Sequence, residues 1–331
     1  MSNIGKITLF VIFIAVFMIA IFLPPAFAEE NRSGFGFSIT PSIGMINGQA
    51  DEIVYKGSHS DMLNSELQWD LATLFYAGLA ADFGPVNNFA KQGFVGNLSF
   101  KMGIPQRAGI MEDRDWLYEN SNALTNYSRH DNFSERAIMA DLSLGYSFPL
   151  LNFVAMGINL DFSYMHFYWI AKDGYYQYLA TDGNGNILPG QIWSDEIPKI
   201  PVKGNVLEYT QNWLIFSPGV FIKFRLGSYF SLNGNFNYSP FIYCADRDDH
   251  LITRKTYLDY LYYGHYLKGS GGITFSPLNY LDLTLFLSYN SITDSRGDTY
   301  IQSAKYSGIA GGGYSAFEIG LLAKLLFFGR R

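Results

Sequence analysis

Two short runs hold most of the side chains able to do chemistry: Glu112-Asp113-Arg114-Asp115-Trp116 and Asp246-Arg247-Asp248-Asp249-His250. In extended backbone, residues two apart share a face. Asp113 and Asp115 therefore point one way together, as do Asp246, Asp248 and His250. A carboxylate beside an imidazole orients the ring, fixes its tautomer and raises its basicity. A histidine held like this can draw a proton from a water that attacks a peptide carbonyl. A facing pair of carboxylates can share a proton and place that water. The same residue types have a plainer use, because acidic runs in surface loops are commonly solvated or gather a cation. No EF-hand spacing is present for calcium, and His250 among carboxylates alone makes a poor zinc site. Glycine-rich phosphate loops, Gly-x-Ser-x-Gly elbows and His-Glu-x-x-His runs are missing. The single cysteine, Cys244, excludes an internal disulfide framework and cysteine-rich zinc sites. Spacing alone leaves catalysis and solvation both open.

The elements that must position these residues are strands. The chain of 331 residues is 48% hydrophobic, 17% aromatic and only 16% charged, against roughly 25% charged in soluble domains. Its net charge of −6 argues against a nucleic-acid partner. A mean hydropathy of +0.04 is too low for a bundle of membrane helices. At the N-terminus Lys6 precedes an apolar run, Ile7 to Leu23, then Pro24-Pro25 and Ala26-Phe27-Ala28. This pattern reads as a secretory signal peptide over residues 1–28, cleaved after Ala28, with one domain over residues 29–331. No cysteine follows the run to carry a lipid anchor. Beyond residue 28 no apolar stretch reaches the roughly 18–20 residues of a membrane helix.

The exported part alternates with period two, as membrane strands do when apolar residues face lipid and small or polar ones face the lumen. Phe37, Ile39 and Ile43 alternate with Ser38, Thr40 and Ser42. Trp69, Leu71, Phe75, Leu79 and Phe83 form a second outward set, and Phe94, Leu98, Phe100 and Met102 a third. Further segments begin at Ile138 and Val154 and recur near 206–226, 229–244, 257–277, 280–293 and 313–328. Ten strands, an even number, predict an all-β, antiparallel transmembrane barrel with both termini on the periplasmic side. Short turns are expected near 84–88, 149–152, 227–229 and 276–280. Long outer loops are expected near 47–64, 103–133, 171–206, 244–258 and 292–313, with the glycines Gly311–Gly313 closing the last one. Simple parity from Leu232 and Tyr238 aims Asp248 and His250 away from the barrel mouth, so a β-bulge or a local twist above the membrane must intervene to bring them in.

Five motifs in order resemble the omptin family of outer-membrane endopeptidases. They are Glu52-Ile53-Val54-Tyr55, Ser65-Glu66-Leu67-Gln68-Trp69, Met111-Glu112-Asp113-Arg114-Asp115-Trp116, Ser128-Arg129-His130 and Asp246-Arg247-Asp248-Asp249-His250. The resemblance implies a ten-stranded barrel with its active site in the extracellular mouth. It makes Asp248 and His250 the dyad that activates water and Asp113 and Asp115 the opposing catalytic pair. It places Glu52 and Asp246 in the pocket for a basic residue before the scissile bond, and carboxylates there favour Arg or Lys over neutral side chains. It implies no metal and no organic cofactor. Two departures stand out. Asn126 occupies a position where the family often has an acid, which argues against a strict dibasic preference. His166 and Asn212, with Tyr164 nearby, stand where outward arginines would clamp lipopolysaccharide, which implies altered or absent activation by that lipid.

The expectation is an outer-membrane endopeptidase of aspartyl type, facing outside, that cuts polypeptides after Arg or Lys. Its first rival is a non-catalytic barrel of the same shape acting as an adhesin or binding protein. A small porin is the second, disfavoured because side chains largely fill a narrow barrel. His130 is expected to be structural, and Cys244 a small buried residue.

Overall fold

A computed structural model describes residues 35–85, 89–182, 187–188 and 190–327. The expected signal peptide lies outside the described residues. Fourteen strand segments run in sequence: β1 (Phe35–Tyr55), β2 (Leu63–Asp70), β3 (Leu74–Pro85), β4 (Gly93–Gly103), β5 (Gln106–Asp115), β6 (Asn126–Leu151) and β7 (Val154–Tyr178). They continue as β8 (Ile200–Pro201), β9 (Asn205–Leu226), β10 (Phe230–Ser239), β11 (Ile242–His250), β12 (Lys255–Leu278), β13 (Leu281–Ile301) and β14 (Ala304–Leu326). β1, β3, β4, β6, β7, β9, β10, β12, β13 and β14 pair antiparallel in that order. β14 returns to β1, which closes a ten-stranded barrel without a free edge. β2 and β5 continue β3 and β4 upward between β1 and β6. β11 likewise continues β10 between β9 and β12.

The outer face is apolar because lipid is its solvent. Phe37, Leu79, Leu98, Leu144, Leu160, Phe216 and Leu285 are all exposed there. Inward positions on the same strands are polar and buried, as with Ser38, Thr40, Ser42, Asn159, Asp161 and Ser288. Ion pairs satisfy much of this lumen: Lys101 lies 2.5 Å from Glu318, which also accepts the Tyr76 hydroxyl proton at 2.5 Å. Above this layer an aromatic stack crosses the barrel from β14 to β7, β9 and β2. Tyr314 stacks on Phe167, Phe167 on Trp169, and Trp169 on both Tyr209 and Trp69, with centroids 5.2–6.0 Å apart. These five side chains are buried and form a floor beneath the mouth, which speaks against the porin reading.

Three expectations need correction. Most of the expected outer loops are strands: the described turns at the mouth include 56–62, 116–125, 251–254 and 302–303, and the functional residues sit on paired backbone. Gly311–Gly313 belong to β14, not to a loop. The absence of side chains there lets neighbours close in, since a Cβ on Gly311 would meet Ser295 O at 2.9 Å. Trp69 and Leu71 are fully buried, whereas Phe75, Leu79 and Phe83 face lipid. The strand breaks at Leu71–Thr73, where Thr73 takes a left-handed φ of 58°, and the break reverses the facing between β2 and β3.

Candidate active site

His250 and Asp248 reach the mouth because of one extra residue. Asn237 pairs with Gly219 and Ile242 with Ile215, so five steps on β10–β11 match four on β9. The surplus falls at Pro240-Phe241, where the Ser239 hydroxyl donates to Phe241 O and accepts from Phe241 N. Inward positions are odd-numbered below this point (Asn237, Ser239) and even-numbered above it (Ile242, Cys244, Asp246, Asp248). The intervening bulge expected from parity is therefore present. β5 is set by a second irregularity between Arg107 and Ile110, where Gly109 has a φ of +104° and Asp70 accepts the Ile110 N–H at 3.0 Å.

His250 Nε2 lies 2.5 Å from Asp248 Oδ2, and its ring meets the edge of Tyr257 at 5.2 Å. With Nε2 turned to the carboxylate, Nδ1 is the nitrogen left to act as base. Burial by itself depresses the imidazole. The hydrogen bond and charge of Asp248, then the charge of Asp115, outweigh it, so His250 titrates above its ordinary value. Burial raises Asp248, and His250 partly offsets the rise.

Asp113 and Asp115 face this pair from β5. Burial lifts Asp113 well above the carboxylate range, and the charges of Asp115 and Asp248 lift it further; Ser65 opposes them by a hydrogen bond. Burial also raises Asp115, opposed by hydrogen bonds from Ser65 and Asn126 and by the charge of His250. Asn126 Nδ2 donates to Asp115 Oδ2 at 3.3 Å. Two acids this close favour retention of a proton between them.

Glu52 and Asp246 lie beside the pair, on β1 and β11, both buried. Burial raises Glu52, as do the charges of Asp248, Asp246, Asp259 and Asp113, in that order. Burial and then Asp259 raise Asp246, which accepts the Tyr209 hydroxyl proton at 3.2 Å. Tyr209 in turn accepts from Gln211 at 2.8 Å. All six residues singled out by sequence thus converge on the mouth. Among the described residues no cluster of His, Cys, Asp and Glu has metal-holding geometry.

Sequence reasoning missed Asp259, Tyr209 and Tyr178. Asp259 pairs with Asp246 across β11 and β12. Tyr178 bonds Ser128 and feels the charges of Asp113 and Asp115. No local pattern marks any of the three, because their partners come from other strands. His130 is held at both ring nitrogens: Nδ1 faces Asp173 O at 2.5 Å and Nε2 faces Ser128 Oγ at 3.0 Å. Cys244 is free and buried.

Comparison with known proteins bears on the family and the fold. The plasminogen activator of Yersinia pestis is 24% identical over 275 residues, covering 81% of this chain and 80% of that protein. The crystal structure of the outer-membrane protease OmpT from Escherichia coli superposes with a TM-score of 0.76 at 19% identity. That match covers 91% of this chain and all of that one, and it supports the barrel fold. Residues 34–316 match the Omptin family, so the chain belongs to that family of outer-membrane β-barrel proteases.

Proposed function

We propose that the protein is an endopeptidase that cuts polypeptides after Arg or Lys, using a water activated by His250 and Asp248. The observation that carries this reading is the juxtaposition of the 2.5 Å His250–Asp248 pair with the Asp113–Asp115 pair and with buried Glu52 and Asp246. His250 Nδ1 takes a proton from a water poised between the two pairs while Asp248 stabilises the imidazolium. Asp113 and Asp115, holding one proton between them, accept a hydrogen bond from that water and donate one to the carbonyl oxygen as it gains charge. His250 then returns its proton to the leaving amine. The chemistry is of aspartyl type, since carboxyls and a histidine handle the water and no side chain is acylated.

Glu52 and Asp246 supply the counter-charge for the basic side chain before the cut. The side chain of Asn126 is committed to Asp115 and carries no charge, so a basic residue after the cut is not required. On the outer wall, Tyr164 and His166 both bond Asn212 Oδ1, at 3.1 and 2.8 Å. These positions offer phosphate no Arg or Lys, so activation by lipopolysaccharide is expected to be altered or absent.

The test is digestion of an unstructured polypeptide by the folded barrel, with and without lipopolysaccharide, and mapping of the new termini by mass spectrometry. Termini following Arg or Lys in both digests support the reading. Termini scattered without regard to Arg or Lys would remove the preference. An intact substrate in both digests would leave the binding-protein reading in its place.

A further inference from the structure

Asp259 has no part in any motif, yet it is among the most buried acids in the molecule, 1% exposed. It lies directly opposite Asp246 in the β11–β12 ladder, so the two carboxyls project from one face into one space. Glu52 reaches that space from β1 and is affected by both charges. Each of the three keeps a buried oxygen that takes no hydrogen bond: Glu52 Oε2, Asp246 Oδ1 and Asp259 Oδ1. Among the described residues no Lys or Arg forms an ion pair with any of them. Burial is the main reason Asp259 is pushed up to about 7, with a hydrogen bond from Thr299 opposing the rise and Asp248 adding to it.

Buried acids that lack a counter-ion cost the fold stability, and sites of this kind persist where a ligand provides the missing charge. Gly312 lies beside Glu52 in the β1–β14 ladder. A Cβ there would stand 3.1 Å from both Asp51 O and Leu261 Cδ1, so glycine lets these neighbours close in beside the three acids. The floor there is Tyr209, stacked on Trp69 at 5.4 Å, and aromatic faces attract cations.

We propose that Asp259 is the third carboxylate of the pocket that receives the residue before the cut, and that it determines specificity by selecting a cationic side chain there. This inference rests on the proposed peptide hydrolysis for the identity of that side chain. With Glu52 and Asp246, Asp259 surrounds a guanidinium or ammonium group on three sides.

The test uses the full refolded barrel and three fluorogenic peptides that differ only at the residue before the cut: Arg, Lys, or citrulline, the neutral isostere of Arg. Asp259→Asn lowers the Arg-to-citrulline ratio of kcat/KM by about tenfold or more. Most of the change is a raised KM for the Arg peptide, while citrulline cleavage stays within about twofold. Asp259→Glu retains the charge and most of the ratio. Equal losses on all three peptides, with the ratio fixed, would make Asp259 structural and overturn the proposal. Binding separates this proposal from the hydrolysis reading. In a His250→Ala background the Arg peptide binds more tightly than the citrulline peptide by fluorescence anisotropy, and adding Asp259→Asn removes the difference. That result upholds the pocket even if the parent cuts nothing; equal affinity for both peptides before and after the change would overturn it.

Discussion

At the scale of the residue, His250 works as a base only when neutral, and its surroundings favour the cation. The hydrogen bond and charge of Asp248 and the charge of Asp115 overcome burial and hold it above the ordinary imidazole value. The acid limb of kcat/KM is therefore expected above about pH 6.5. Asp115→Asn removes one of the raising charges and lowers the His250 titration. Histidine NMR resolves this among five histidines, and an unmoved titration would place Asp115 too far away to matter. The buried acids have the opposite consequence for stability. Asp259 is pushed up to about 7 and Asp51 to about 6, both chiefly by burial. A carboxyl whose folded value is raised binds its proton more tightly in the native state. Its contribution is present below the unfolded value, about 4, and is lost as pH climbs through the folded one. The thermal midpoint of the barrel is expected to fall between pH 5 and pH 8, and Asp259→Asn to remove part of that fall. Identical pH profiles for parent and variant would contradict the assignment.

At the scale of the element, orientation depends on single residues. The surplus at Pro240-Phe241 turns Asp246, Asp248 and His250 inward, because a one-residue change in register exchanges the two faces of a strand. Deleting Phe241 is expected to leave a barrel that folds and retains heat-modifiable mobility but has lost at least about 10³-fold in kcat/KM. Activity within tenfold of the parent would show that the bulge does not set the facing. The ten strands were legible because lipid enforces alternation over each crossing, and the candidate site residues because their motifs resemble those of the omptin family, where spacing alone left catalysis and solvation both open. What the sequence concealed lies where alternation is interrupted or where partners are far apart along the chain. Trp69 reads as lipid-facing only until the break at Thr73 is known. Gly311–Gly313 read as a loop because glycine weakens strands, yet close packing at that point requires them. Asp259 meets Asp246 through a ladder that no linear spacing encodes.

At the scale of the whole molecule, a closed barrel holds a buried aromatic floor under an acidic mouth. The stack from Tyr314 to Trp69 separates the site from the polar lumen below. Planar-bilayer recordings are expected to show no steady conductance. Trp169→Ala opens the floor and costs about 3–5 kcal/mol of stability. Steady channels from the parent would instead revive a pore. Burial of the acids at the mouth strengthens each charge interaction among them.

The central claim is that His250 and Asp248 activate the attacking water. Its most direct test is hydrolysis of a fluorogenic peptide with Arg-Arg at its centre by the refolded parent, Asp248→Ala and His250→Ala, each shown to be folded by heat-modifiable mobility. Cleavage after Arg by the parent, with each substitution lowering kcat/KM by about 10³-fold or more, is the result expected. A folded parent that leaves the peptide intact, or variants that cut it as fast as the parent, would contradict the claim.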